Sequence, residues 1–121
     1  MDKKQAIHEI LWMGVDDWTG LWEASWRLNT LSPELSVEQA EAQARALLGE
    51  LVAEGLVYLC HFDEDSNEER KISLKSALLL LKQANAMNPP ESARNQLRYA
   101  STSKGEERMS ALEAESARSN K

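Results

Sequence analysis

A chain of 121 residues, 42% hydrophobic and 28% charged, suits one folded domain around a single core and excludes a disordered polymer. Its longest purely apolar run, Ala77 to Leu81, falls far short of the roughly 20 residues that span a bilayer. Cys60 is the only cysteine, which excludes an internal disulfide, and the opening Met1-Asp2-Lys3-Lys4 has no secretory pattern, so a cytoplasmic location is expected.

The net charge of −6 is unevenly spread: residues 1–35, 36–55 and 63–71 each carry −3, whereas residues 72–121 carry +3. The front of the chain therefore repels a polyanion, while the back does not.

In chain order, Ala6, Ile7, Ile10 and Leu11 predict a first helix over Lys3 to Met13, with Gly14 at its C-terminal cap. Asp16 or Asp17 offers an N-cap for a second helix that carries Trp18, Leu21, Trp22, Ser25 and Trp26 along one face. All four tryptophans fall between Trp12 and Trp26. Three large rings on one helix read either as core between the first and third helices or, for Trp26, as an anchor in a partner's pocket. Asn29, Thr30 and Ser32-Pro33 end this helix.

Ser36 and Gln39 have capping-box spacing and open a third helix, with Val37, Ala40, Ala44, Leu47, Leu48 and Leu51 as its apolar stripe. Gly55 stands where a left-handed residue ends the helix. Leu56 to Phe62 then alternates as a strand, with Leu56, Tyr58, Cys60 and Phe62 on one face and Val57, Leu59 and His61 on the other. Asp63 to Lys71 reads as a charged loop. Ser73 caps a fourth helix over Leu74 to Ala86, and Asn88-Pro89-Pro90 follows it. Gln96 to Ser101 is a second strand, antiparallel to the first. Ser103 and Glu106 open a last helix to about Ala114. The domain is expected over residues 1–114, with 115–121 a frayed polar tail.

This order of elements, with Ala46 to Leu59 and the Thr102-to-Gly105 step as its best-matching parts, resembles winged helix-turn-helix proteins. The resemblance implies a mostly helical α+β fold: a three-helix core, a two-stranded hairpin and a C-terminal helix. It also implies a third helix that reads DNA. The chain departs from the pattern in two places. Thirty-three residues (63–95) separate the strands where a wing is a short turn, and the third helix carries Glu38, Glu41, Glu50 and Glu54 against Arg45 alone.

Tests for chemistry are negative. Cys60, His8 and His61 do not form a zinc-ligand pattern, and Cys60 and His61 point to opposite faces of a strand. Asp63, Asp65 and Asn67 begin a calcium-loop pattern that fails at its glycine and glutamate positions, where Glu68 and Leu74 stand. No phosphate loop, dinucleotide fingerprint or nucleophile elbow occurs. Neither an enzyme nor a cofactor nor a metal is expected.

The expectation is therefore a protein-binding domain with a basic partner, of immunity or antitoxin type or a regulatory adaptor. Its candidate contacts are Glu38, Glu41, Asp63, Glu64, Asp65, Glu68, Glu69 and Trp26. The alternative is a winged-helix transcriptional regulator, dimeric through its first or last helix. Its candidate DNA contacts are Gln39, Gln43 and Arg45, with Arg94, Arg98 and Lys104 as flanking groups.

Overall fold

A computed structural model describes residues 2–15, 18–92 and 94–119. It is an α+β fold in the order α1 (Lys3–Met13), β1 (Thr19–Gly20), α2 (Leu21–Leu31), α3 (Val37–Ala53), β2 (Val57–Asp63), β3 (Glu68–Lys71), α4 (Leu74–Leu81), β4 (Gln96–Ser101) and α5 (Ser103–Ser119). The four strands form one antiparallel sheet in the order β1-β4-β2-β3. Among the described residues no helix is long and apolar enough to cross a membrane.

One face of the sheet carries Val57, Leu59 and Tyr99 into a core shared with α1, α2 and α3. Ile10 and Leu11 come from α1, Leu21 and Leu28 from α2, and Leu48 and Leu51 from α3, all at most 1% exposed. Tyr99 is the largest fully buried side chain, and its hydroxyl donates to the Ile10 carbonyl at 2.8 Å, which meets the requirement that a buried polar group be paired. β4 is thereby tied to α1, and Ser101 adds a hydroxyl bond to the Leu11 carbonyl at 2.7 Å.

Several expected devices are in place. The Ser36 hydroxyl accepts from the Gln39 amide at 3.1 Å, and the Gln39 side chain accepts from the Ser36 amide at 2.8 Å. Gly55 sits at φ +75°, the left-handed conformation that ends α3. β2 and β4 pair antiparallel from Val57 opposite Ser101 to Phe62 opposite Gln96. Ser73 caps α4 through the Ser76 amide.

Other expectations are corrected. Asp16 and Asp17 lie outside the described residues, and α2 begins only at Leu21 with Gly20 at its N-cap, so Trp18 precedes the helix. Glu23 supplies the cap, accepting from the Gly20 amide at 2.7 Å. Val37 is 66% exposed instead of buried, because the first turn of α3 extends past the core. The charged loop is half strand: Glu68 to Lys71 pairs with Cys60 to Asp63. An edge strand exposed on its outer side tolerates, and benefits from, a charged sequence that hides its strand character. β1 is too short to show any period. α4 stops at Leu81 instead of Ala86. α5 is capped by Thr102, whose hydroxyl accepts from the Gly105 amide at 3.1 Å, and runs on to Ser119. Beyond Ala114 the Lys4–Glu115 ion pair holds α5 to α1, and just before Ala114 the His8 Nε2 lies 2.9 Å from a Glu113 carboxylate oxygen.

Candidate functional site

The tryptophans do not fill the core. Trp12 and Trp26 are 54% and 58% exposed, and Trp18 and Trp22 are half-buried. The void between α1 and α3 is filled instead by aliphatic side chains and Tyr99, which leaves the indoles outside.

Trp18 covers the sheet face turned away from the helices. Its ring stacks on Phe62 at 5.3 Å, and its Nε1 donates to the Tyr58 hydroxyl at 3.2 Å. The Arg98 guanidinium lies 4.3 Å from the Phe62 ring centre, and the Lys71 ammonium 4.5 Å from that of Tyr58. Cys60 lies on this face and is fully buried. Burial pushes its thiol up to about 12, with Glu69 adding to the shift and Arg98 opposing it. A thiol with that value is protonated at neutral and mildly alkaline pH and is a poor nucleophile. The native protein should therefore resist iodoacetamide at pH 8 and label only in denaturant; a mass increase in the native state would contradict this. His61, on the opposite face, is partly exposed, and its Nδ1 is buried with no hydrogen-bond partner among the described residues.

The candidate contacts fall into two groups. The first is at the end of the β2–β3 hairpin. Asp63 accepts from the Asn95 amide at 2.6 Å, and Arg70 donates to the Asn95 side chain. Glu64 accepts from Arg98 at 2.9 Å. Asp65 and Glu68 are exposed, and Glu69 lies near Tyr58, raising its pKa after the larger effect of burial. Asp63, Asp65, Glu68, Arg70 and Arg94 line a shallow hollow of about 420 Å³. The cations Arg70 and Arg98 make this end less acidic in effect than its sequence. Arg70 had not been singled out, because only the register of β3 opposite β2 brings it beside Asn95. No group of three or more His, Cys, Asp or Glu side chains among the described residues is arranged to hold a metal.

The second group lies on α2 and α3. Trp26 is exposed and meets Trp22 edge-on at 4.5 Å. Glu38 is exposed and unpaired among the described residues. Glu41 is half-buried and pairs with Arg45 at 3.0 Å. Arg45 turns away from the third-helix surface toward the end of α4. It donates to the carbonyls of Leu81, Gln83 at 2.6 Å and Ala84 at 3.4 Å. Sequence reasoning placed Arg45 on a free face because the acceptors lie 36 or more positions away.

Of the remaining candidate DNA contacts, Gln39, Arg98 and Lys104 are engaged within the fold. The Gln39 side chain caps its own helix, and Gln43 is half-buried. Arg98 holds Glu64 and Gln96, and Lys104 donates to the Glu54 carbonyl at 3.3 Å. Arg94 is exposed, and its side chain makes no bond among the described residues.

The class these features define is an α+β protein built on an antiparallel four-stranded sheet, with an exposed indole beside an acidic helix start. In comparisons with protein-family models, curated proteins and solved structures, nothing matches the chain.

Proposed function

We propose that this chain is a winged-helix-like cytoplasmic protein that works by binding a basic protein partner, as an immunity or antitoxin-type inhibitor or a regulatory adaptor. The winged-helix part of the reading draws support from the sheet order β1-β4-β2, with α2 and α3 between β1 and β2. The wing is replaced by the β2–β3 hairpin and α4.

One observation carries the choice of protein over DNA. Arg45 is the only cation of α3, and its guanidinium is committed to Glu41 and to carbonyls at and just beyond the end of α4. A helix that reads DNA needs free donors for bases and cations for phosphates. The surface of α3 instead offers Glu38 unpaired beside exposed Val37. DNA binding of the winged-helix type is the less supported alternative, because of Arg45, Arg94, Arg98 and Lys104 only Arg94 keeps its side chain free of a partner among the described residues.

Fluorescence anisotropy with labelled duplex DNA at low salt tests the reading, because non-specific affinity is strongest there. The expected result is no binding at micromolar protein. Salt-sensitive binding that is lost on Arg45→Ala would replace the protein-binding reading with the regulator.

A further inference from the structure

We propose that the hollow between α2 and the first turn of α3, walled by Trp26 and Val37, is an anchor socket. It takes one apolar side chain from a basic peptide segment of the partner, whose lysines or arginines meet Glu34 and Glu38. The proposal rests on the protein-binding reading and gives it a place and a ligand chemistry.

Three observations converge on this spot. Two of the most exposed large hydrophobic side chains of the protein, Trp26 at 58% and Val37 at 66%, line the same hollow, whose inner wall is formed by buried Ser25 and Ala40. Exposed apolar side chains that share a concavity mark an interaction site more strongly than the same residues scattered singly. The volume of about 280 Å³ lies just below the range of about 300–1,000 Å³ for small-molecule sites, which suits one inserted side chain better than a metabolite.

The walls are also held in place before any partner arrives. Trp22 packs edge-on against the Trp26 ring at 4.5 Å. The Thr30 hydroxyl donates to the Trp26 carbonyl at 2.9 Å, and the Asn29 side chain donates to the Leu35 carbonyl at 2.8 Å across the α2–α3 turn. A socket whose parts are already ordered loses little entropy on binding. Tryptophan in such a setting is the residue most enriched among binding hot spots.

The charge around the hollow selects the occupant. Glu34 in the turn and Glu38 in the first turn of α3 flank Val37 in the chain; both are exposed and neither has a partner among the described residues. Arg27, the cation of α2, is held by Glu9 of α1 at 3.1 Å and does not neutralise them. A second copy of this chain would bring the same carboxylates face to face, and an anionic lipid surface would be repelled. A segment with cations on either side of an aliphatic or aromatic residue matches both the hollow and the carboxylates that flank Val37 in the chain.

The test pans a random-peptide phage library on the full chain and measures selected peptides by calorimetry. Expected binders carry Leu, Ile or Phe flanked by Lys or Arg. Trp26→Ala should weaken them about 30-fold, the size of a hot spot, and Glu34→Lys about fivefold with a shallower salt dependence. Glu34 lies outside the helix, so its charge reversal leaves the favourable charge at the start of α3 intact. Val37→Gln, which removes the apolar wall without changing the charge, should also weaken them without removing the indole. Unchanged thermal melting of each variant excludes unfolding as the cause. Binders indifferent to all three substitutions would overturn the socket while leaving the protein-binding reading in place. Acidic binders at Trp26, or no binders at all, would overturn it as well. Duplex DNA binding at low salt would instead remove the reading beneath it.

Discussion

Gly105→Ala should destabilise the protein by about 2 kcal/mol, although alanine is the better helix former by about 1 kcal/mol. Gly105 is buried in the first turn of α5, where the helix crosses the β2 end of the α3–β2 turn. A Cβ added there would fall well inside 3.0 Å of the Leu56 carbonyl oxygen, a backbone atom with no rotamer to move, and 3.3 Å from Leu11 Cδ2. That oxygen accepts from the Thr102 amide at 3.0 Å and from the Thr102 hydroxyl at 3.1 Å, the contacts that set the start of α5. To admit a methyl group, α5 must lift away and loosen both bonds. Overpacking of this kind costs about 1–3 kcal/mol, and each weakened bond adds about 1 kcal/mol. Together these outweigh the gain in helix propensity.

Gly49→Ala supplies the matched control. Gly49 lies inside α3, with nothing within 4 Å of a Cβ placed on it, so only the propensity term acts there. It should stabilise by about 1 kcal/mol, so the two glycine-to-alanine changes should have opposite signs in urea unfolding. If Gly105→Ala stabilised as well, α5 would not be docked against the Leu56 carbonyl.

The elements legible in the sequence are those whose local signals agree with their packing. Ser36, Gln39 and Gly55 bracket α3 by capping chemistry that works within a few residues, so both ends could be placed. The β2–β4 pair was legible because each strand alternates and one face of each packs on the core. β3 was missed because Glu68, Glu69, Arg70 and Lys71 carry no apolar alternation; only the register opposite Cys60 to Asp63 makes them a strand. The tryptophans misled for a related reason. Helical spacing gave a shared face from Trp18 to Trp26, but the chain enters the helix only at Leu21, and Leu21, Ala24 and Leu28 took the core side. For the candidate site, Glu38 and Trp26 were identified from charge and residue type. The hollow beside them was hidden, since Val37 fits an apolar stripe by spacing, yet the first turn of α3 extends past the core and leaves it exposed. The loss of Arg45 from the α3 surface was illegible for the simplest reason: its acceptors are carbonyls of a segment more than thirty positions away.

Arg45→Ala should release α4 while leaving the rest of the fold intact. α4 spans eight residues, and among them only Ala77 and Leu81 are buried. Isolated helices shorter than about 12 residues are marginal in water, so α4 depends on tertiary contacts. Arg45 supplies these at the end where they matter most, with one guanidinium bonded to Leu81, Gln83 and Ala84 at the negative pole of the helix. Charge-assisted bonds of this kind contribute about 1.5–3 kcal/mol when sheltered. The side chain is one-quarter exposed, so a loss of about 2 kcal/mol is the working figure after allowing for solvent screening. Amide exchange over residues 74–86 should then accelerate about 30-fold, while the amides of β2, β4 and α3 keep their protection. Arg45→Lys should recover only part of this, because an ammonium reaches one or two of the acceptors and lacks the planar fork. The same variants separate the two functional readings. If Arg45 is structural, its removal alters exchange at α4 and leaves peptide capture at Trp26 unchanged. If Arg45 read DNA, its removal would abolish a low-salt DNA complex and leave exchange at α4 as it was.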